Sequence, residues 1–207
     1  MMLKKVLLAA CLGALLPGCT SIEAAATGPQ PIGVAPGERT LSMKVDDQSI
    51  ENTASVNIAK ADPDFYNANV NVVSFYASVL LVGEVPTQAL KDKAEAVVRS
   101  IAEVKQVHNE LVIGDASYYK ARAVDSYITS RISSALLFTS GFPSSRSKIT
   151  TSGGIVYLMG KLTHAEADQA VSIISGVSGV EKIVKLVDYL PAVPAEQPAA
   201  TAGSGPA

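Results

Sequence analysis

Val79-Leu80-Leu81-Val82-Gly83 returns later in the chain as Val156-Tyr157-Leu158-Met159-Gly160. A Gly-ended apolar strand thus leads two segments, and the agreement continues past it. An alanine-rich helical stretch follows each, Ala94, Val97, Val98 and Ile101 answering Ala170, Ile173, Ile174 and Val177. Both segments close on a valine-rich strand, where Val104 and Val107 answer Val180 and Ile183. Solenoid repeats recur every roughly 20–50 residues, and this period is longer. The chain is therefore one small domain written twice, and its function lies in what distinguishes the copies.

The second copy reads helix, strand, strand, helix, strand. Val124, Ile128, Ile132, Ala135 and Leu136 recur at helical spacing, which predicts an amphipathic helix over Val124–Phe138. Lys148-Ile149-Thr150-Thr151, the turn signal Ser152-Gly153-Gly154 and the run Ile155 to Leu162 predict a β-hairpin. Thr163 and Glu166 have the spacing of a capping box for a helix from His164 to near Gly176, and Val180 to Tyr189 is the last strand. A strand–helix–strand crossover within one sheet is right-handed, so that strand should run parallel to the one before the helix. The first copy repeats the plan: a helix near Asp46–Lys60, a hairpin over Asn69–Val85, a helix near Thr87–Ile101 and a strand over Val104–Ile113. The predicted fold class is α+β, two αββαβ modules, each a three-stranded mixed sheet packed by two helices. Modules of about 70 residues are near the lower limit for an independent core, so the two should pack on each other.

The chain starts Met1-Met2-Leu3-Lys4-Lys5, runs apolar from Val6 to Leu16, and continues Pro17-Gly18-Cys19. A basic start, a short apolar core and a small residue before the cut describe a secretory signal. The run is shorter than the roughly 20 residues of a membrane span. Leu16-Pro17-Gly18-Cys19 resembles a bacterial lipobox, although Pro17 departs from the residue usual at its position. The alternative is an ordinary signal peptide with an incidental cysteine. Cys11 would leave with the signal, making Cys19 the only thiol of the mature chain, with no disulfide and no cysteine metal site. A thioether-linked diacylglycerol with an N-acyl chain on Cys19 would anchor stably, each buried methylene contributing ~0.8 kcal/mol. Thr20 and Ser21 follow, with no aspartate. By resemblance to enterobacterial lipoprotein sorting, this favours the outer membrane.

Residues 20–40 are rich in Ala, Pro, Gly and Thr without apolar periodicity and read as a tether of roughly 25 Å root-mean-square span. The segment from Pro191 onward carries a single charge, Glu196, and reads as a disordered tail. The expected organisation is a signal at 1–18, the lipidated Cys19 with a linker at 19–43, modules at 44–115 and 116–190, and the tail at 191–207.

The αββαβ order, the V-x-L-x-G strand and the turn Gly179-Val180-Glu181-Lys182-Ile183 resemble the BON domain. Two such copies behind a lipobox resemble the dual-BON outer-membrane lipoproteins of the DolP-like family. The resemblance runs from roughly residue 44 to 190 and is most specific in 70–86, in Val107-His108-Asn109-Glu110 and in 148–160. It implies a protein anchored in the outer membrane and facing the periplasm. It also implies binding of anionic phospholipid such as phosphatidylglycerol or cardiolipin, a part in envelope integrity and division, and contact with the outer-membrane protein assembly machinery. Within this frame a lipid-binding module, a protein-interaction scaffold or osmotic-stress envelope protein, and an envelope enzyme compete.

The copies differ most in charge. Residues 41–115 hold 6 Lys/Arg and 11 Asp/Glu, whereas residues 116–190 hold 8 and 5. A net −5 beside a net +3 should orient the molecule second module first against an anionic surface, each basic side chain contributing roughly 1 kcal/mol there. Drift of surface charge is the bland alternative. With the whole chain at −2, nucleic acid is not an expected partner. Along the Val124–Phe138 helix, Tyr127, Arg131, Ser134 and Phe138 form a flank, and Lys120 and Arg122 precede it. These residues, together with Ile128 from the buried stripe of Ile128, Ile132 and Leu136, are the expected lipid-binding set. An aromatic ring with a polar tip suits the headgroup layer, and Arg can fork onto phosphate. The resemblance implies the same, the family having tryptophan where Tyr127 stands. The competing reading is that Tyr127 packs against the first module. No catalytic residue, metal site or cofactor is expected. His108, in or beside a strand, and His164, at a helix start, suit structural roles, and no G-x-S-x-G elbow, P-loop or dinucleotide fingerprint appears. Asp46-Asp47 and Asp62-Pro63-Asp64 read as helix-end carboxylates at least as well as calcium ligands, and Gly83 and Gly160 as backbone necessities.

Overall fold

The computed structural model describes residues 38–115 and 119–191, with the backbone alone for Tyr119 and Lys120. The expected signal, Cys19, the linker up to residue 37 and the tail from residue 192 lie outside the described residues. Helix α1, Leu41–Ala61, starts five residues earlier than apolar spacing suggests. Residues 41–46 are all exposed, so no buried stripe announces the first turns. The Thr40 side chain does, accepting from the Met43 N–H as an N-cap. A 3-10 turn at Pro63–Asn67 leads to β1, Asn69–Phe75, and its antiparallel partner β2, Ser78–Val85. Helix α2, Gln88–Arg99, capped by Thr87, crosses to β3, Gln106–Asn109, and β4, Val112–Ile113, both parallel to β2. The single strand expected over Val104–Ile113 is thus two pieces. Leu111, 1% exposed, drops into the core, and its carbonyl accepts from Lys91 Nζ at 2.6 Å.

The second module repeats the order with α3, Tyr119–Phe138, β5, Ser147–Ser152, β6, Ile155–Leu162, α4, His164–Ser175, and β7, Lys182–Tyr189. The capping box of Thr163 and Glu166 is present, and β7 runs parallel to β6 without a break.

The quoted apolar run has its reason in the packing. Val79 and Leu81 point to the helices of the first module, while Leu80 and Val82 point away, into a cluster with Val73, Phe75, Tyr157 and Met159. Both faces of β2 and β6 are buried, so these strands read as continuous rather than alternating hydrophobic stretches. The two sheets share this cluster through positions that are equivalent in the two hairpins, Leu80 answering Tyr157 and Val82 answering Met159.

Gly83 and Gly160 hold equivalent places where each hairpin opens. At Gly83, φ is +117° and a Cβ would lie 1.9 Å from the Asn69 carbonyl oxygen. Gly83→Ala is expected to lower stability by about 1–3 kcal/mol, read as a drop in urea midpoint at unchanged slope. A midpoint equal to wild type would refute the close approach.

Candidate lipid-facing surface and the seam between modules

Helix α3 is fixed by Ile128, Ile132 and Leu136, all at most 2% exposed. Ile128 therefore belongs to the core of the second module and is corrected from the lipid-contact set; at roughly 100° per residue it turns away from Tyr127. The opposite face is open. Tyr127 is 60% exposed and Phe138 85%, and Arg131 and Ser134 lie between them on the same stripe, both exposed. Arg131 Nη1 donates to Tyr127 Oη at 3.2 Å, with the guanidinium carbon 5.8 Å from the ring centroid. Val124 and Leu137, 55% and 62% exposed, widen the band. Helical spacing groups Val124 with the apolar positions of the helix and passes over Leu137; the packing leaves both without a core to face. The exposure of Tyr127 also removes packing against the first module as its role. The Lys120 side chain lies outside the described residues. Arg122 is exposed but sits roughly 140° round the helix from Tyr127, beside the seam between modules rather than on the band.

The basic surplus of the second module is partly engaged inside the molecule. Arg146 pairs with Glu166, and Lys148 Nζ meets Glu51 Oε1 across the seam at 2.9 Å. Lys161 Nζ lies 4.8 Å from the centroid of the Tyr76 ring. Among the described residues of the second module, Arg122, Arg131, Lys182 and Lys185 remain as exposed cations. Among the described residues no helix is long and apolar enough to cross a membrane.

Two carboxylates hold the hairpin tips. Asp125 on α3 accepts from the Gly153 and Gly154 N–H groups at 2.9 and 3.0 Å. Its counterpart Asp47 on α1, 3% exposed, accepts from Tyr76 N–H at 3.1 Å, Ala77 N–H at 2.9 Å, Ser74 Oγ at 2.7 Å and Arg39 Nη2 at 2.6 Å. Burial pushes the Asp47 carboxyl up, but those four donors together outweigh it and hold the group below its ordinary value. Asp47 is thus a hairpin clamp and not the helix cap that the sequence suggests. Asp62 does cap, accepting from the Asp64 N–H, and pairs with Lys93. His108 faces the seam, where burial pushes its pKa down against the upward pull of Glu110 and Asp188. The His164 ring stacks on Tyr189 at 3.9 Å.

Comparison with known proteins matches two stretches, residues 46–115 and 124–191, to the BON domain. A 21 kDa hemolysin of Actinobacillus pleuropneumoniae is 32% identical over 135 residues, 65% of this chain and 70% of its own. The outer membrane lipoprotein DolP of Haemophilus influenzae is 30% identical over 170 residues, 82% of this chain and 83% of its own. Osmotically-inducible protein Y of Escherichia coli is 33% identical over 133 residues, 62% and 65% of the two chains.

Proposed function

The chain belongs to the BON-domain family as a DolP-like protein with two copies of the domain, and on that premise we propose that it is a non-catalytic lipoprotein of the outer membrane. In this reading Cys19 carries the lipid, the modules face the periplasm, and α3 of the second module binds anionic phospholipid in support of envelope integrity, including at the division site. The observation that carries it is the exposed Tyr127–Arg131 pair flanked by Val124, Leu137 and Phe138. Large exposed apolar residues beside a cation on one helix face suit the boundary between acyl chains and phosphates. The Tyr127 hydroxyl stays wet while its ring inserts, and the guanidinium it touches can fork onto a phosphate.

Cys19→Ala tests the anchor and supplies the protein for the lipid test. The variant should move to the soluble periplasmic fraction and lose palmitate label; undiminished label would remove the lipoprotein reading. The purified variant should float with phosphatidylglycerol or cardiolipin vesicles, not with phosphatidylcholine, and less so as salt is raised. Equal flotation with neutral and anionic vesicles would count against it. The modules should stay together for this measurement, because separating them uncovers Leu80, Val82, Tyr157 and Met159.

A further inference from the structure

An ion pair bridges the seam on one side and a cleft opens on the other, and the difference lies in two pairs of residues. Hairpin register makes Asn71 the counterpart of Lys148, since Val70 and Ser147 pair with the equivalent glycines Gly83 and Gly160. Four residues beyond Asp47 on α1 stands Glu51, and four beyond Asp125 on α3 stands Thr129. The local roles agree. Glu51 accepts from the Ser74 N–H at 2.8 Å, and Thr129 Oγ1 bonds Thr151 Oγ1 at 2.9 Å, where Thr151 is the counterpart of Ser74. On one side Glu51 also reaches Lys148 and shuts the seam. On the other, the counterparts are Thr129 and Asn71, which carry no opposite charges, and a cleft of about 550 Å3 opens between β1, β5 and α3. That volume is within the roughly 300–1,000 Å3 of small-ligand sites.

The chemistry of the cleft is specific. Ser126 Oγ donates to the Arg122 carbonyl and Ser130 Oγ to the Ser126 carbonyl, each at 2.9 Å. Their hydrogens are turned into the helix, so both oxygens present lone pairs to a ligand's hydroxyl groups. The Asn71 amide, exposed opposite, can donate and accept. Arg122 adds a guanidinium at the rim, while the Asp125 carboxylate is occupied by the hairpin N–H groups. One cation with several hydroxyl acceptors and an amide calls for one anionic phosphate beside free hydroxyls. The position supports this: Ser130, Ser126 and Arg122 lie roughly 60°, 100° and 140° round α3 from Tyr127, all in one direction. The cleft begins where the exposed band ends.

We infer that this cleft binds a glycerol phosphodiester, with Arg122 on the phosphate and Asn71, Ser126 and Ser130 on the glycerol hydroxyls. The inference rests on the lipid-binding reading and gives it headgroup selectivity: the band sets membrane affinity, and the cleft discriminates among anionic lipids. Phosphatidylglycerol carries the diol, and phosphatidic acid carries charge without it.

The test uses the full Cys19→Ala chain and phosphatidylcholine vesicles containing either anionic lipid at matched surface charge. Binding to phosphatidylglycerol should exceed binding to phosphatidic acid about tenfold, as one or two hydroxyl contacts imply. Asn71→Ala should remove that preference, phosphatidylglycerol binding falling to the level of phosphatidic acid binding. The double substitution Asn71→Lys with Thr129→Glu should do the same by rebuilding on the open side the pair that shuts the other. Thermal melting of each variant confirms folding. A wild-type chain without the preference, or variants that keep it, would overturn the inference. Should the wild type bind no vesicle at all, the lipid-binding reading fails on its own, and the cleft is judged by titrating glycerophosphoglycerol, the water-soluble glycerol phosphodiester. Amide shifts at Asn71 and Ser130 would then identify a free glycerol phosphodiester as its ligand, and their absence would overturn the site.

Discussion

Asp47→Ala should lower the unfolding free energy by about 3–5 kcal/mol, the range for removing one partner of a buried charged pair. The carboxylate satisfies Arg39, the Ser74 hydroxyl and the Tyr76 and Ala77 N–H groups, and Arg39 and Asp47 are only 13% and 4% exposed along their side chains. Removing it orphans these donors away from water. It also frees a strained turn. Tyr76 and Ala77 have φ of 56° and 62°, left-handed conformations that cost roughly 1–2 kcal/mol per non-glycine residue. The tip carries Phe75 into the inter-module cluster, so its loss loosens both modules. Arg39→Ala should cost less, because three donors remain on Asp47 and Arg39 Nε already lacks a partner among the described residues. Ala77→Gly added to Asp47→Ala should recover part of the loss by relieving the turn. The pH dependence has a fixed sign. Because the folded carboxyl titrates below its ordinary value of 3.8, its stabilisation is complete above that pH and disappears as pH falls through the folded value. Urea midpoints of wild type and Asp47→Asn should therefore stay apart from neutrality down to about pH 4 and converge only in stronger acid. Curves parallel at every pH would mean that the carboxylate charge is not what holds the tip.

What the sequence displayed and what it hid divide along the range of the interactions. The Ser152-Gly153-Gly154 turn is visible because glycine itself permits positive φ. The equivalent Tyr76-Ala77 turn has no such residue and exists because a carboxylate about thirty positions upstream accepts both of its N–H groups. The hairpin over Asn69–Val85 was legible from its strands, not from its turn. The start of α1 was hidden because its first turns bury nothing, and only Thr40 marks it. Charge counting gave the contrast between modules but not its use. Nothing local to Lys148 shows that it faces Glu51, and nothing local to Arg122 shows that it borders a cleft rather than the aromatic band. The flank of Tyr127, Arg131, Ser134 and Phe138 was readable because helical period alone decides which residues share a face.

The two sides of α3 make opposite predictions for one kind of substitution. Ile132→Glu puts a carboxylate at a position 0% exposed, and an unpaired buried charge leaves the module unfolded or pushed into a looser state. Its melting temperature should fall by about 10 °C or more, since 1 kcal/mol is worth roughly 2–4 °C in a protein of this size. Tyr127→Glu lands in solvent. It removes the hydroxyl that Arg131 contacts but places a carboxylate four residues before the same arginine, a helix pair that contributes about 0.3–0.5 kcal/mol. Stability should thus stay within about 0.5 kcal/mol of wild type. Vesicle binding should fall tenfold or more, because the ring is gone and the nearest cation is now neutralised by its neighbour. Arg131→Glu should reproduce that loss through charge reversal, and Phe138→Ala should weaken binding while leaving its salt dependence intact, since it removes apolar area only. Co-sedimentation with phosphatidylglycerol vesicles and thermal melting on the same four variants separate these effects. The informative contrast is binding lost without stability lost. If Tyr127→Glu and Arg131→Glu bind as wild type does while Ile132→Glu melts early, α3 is a structural helix with an exposed face, and the membrane contact must lie on another cationic surface such as that of Lys182 and Lys185 on β7.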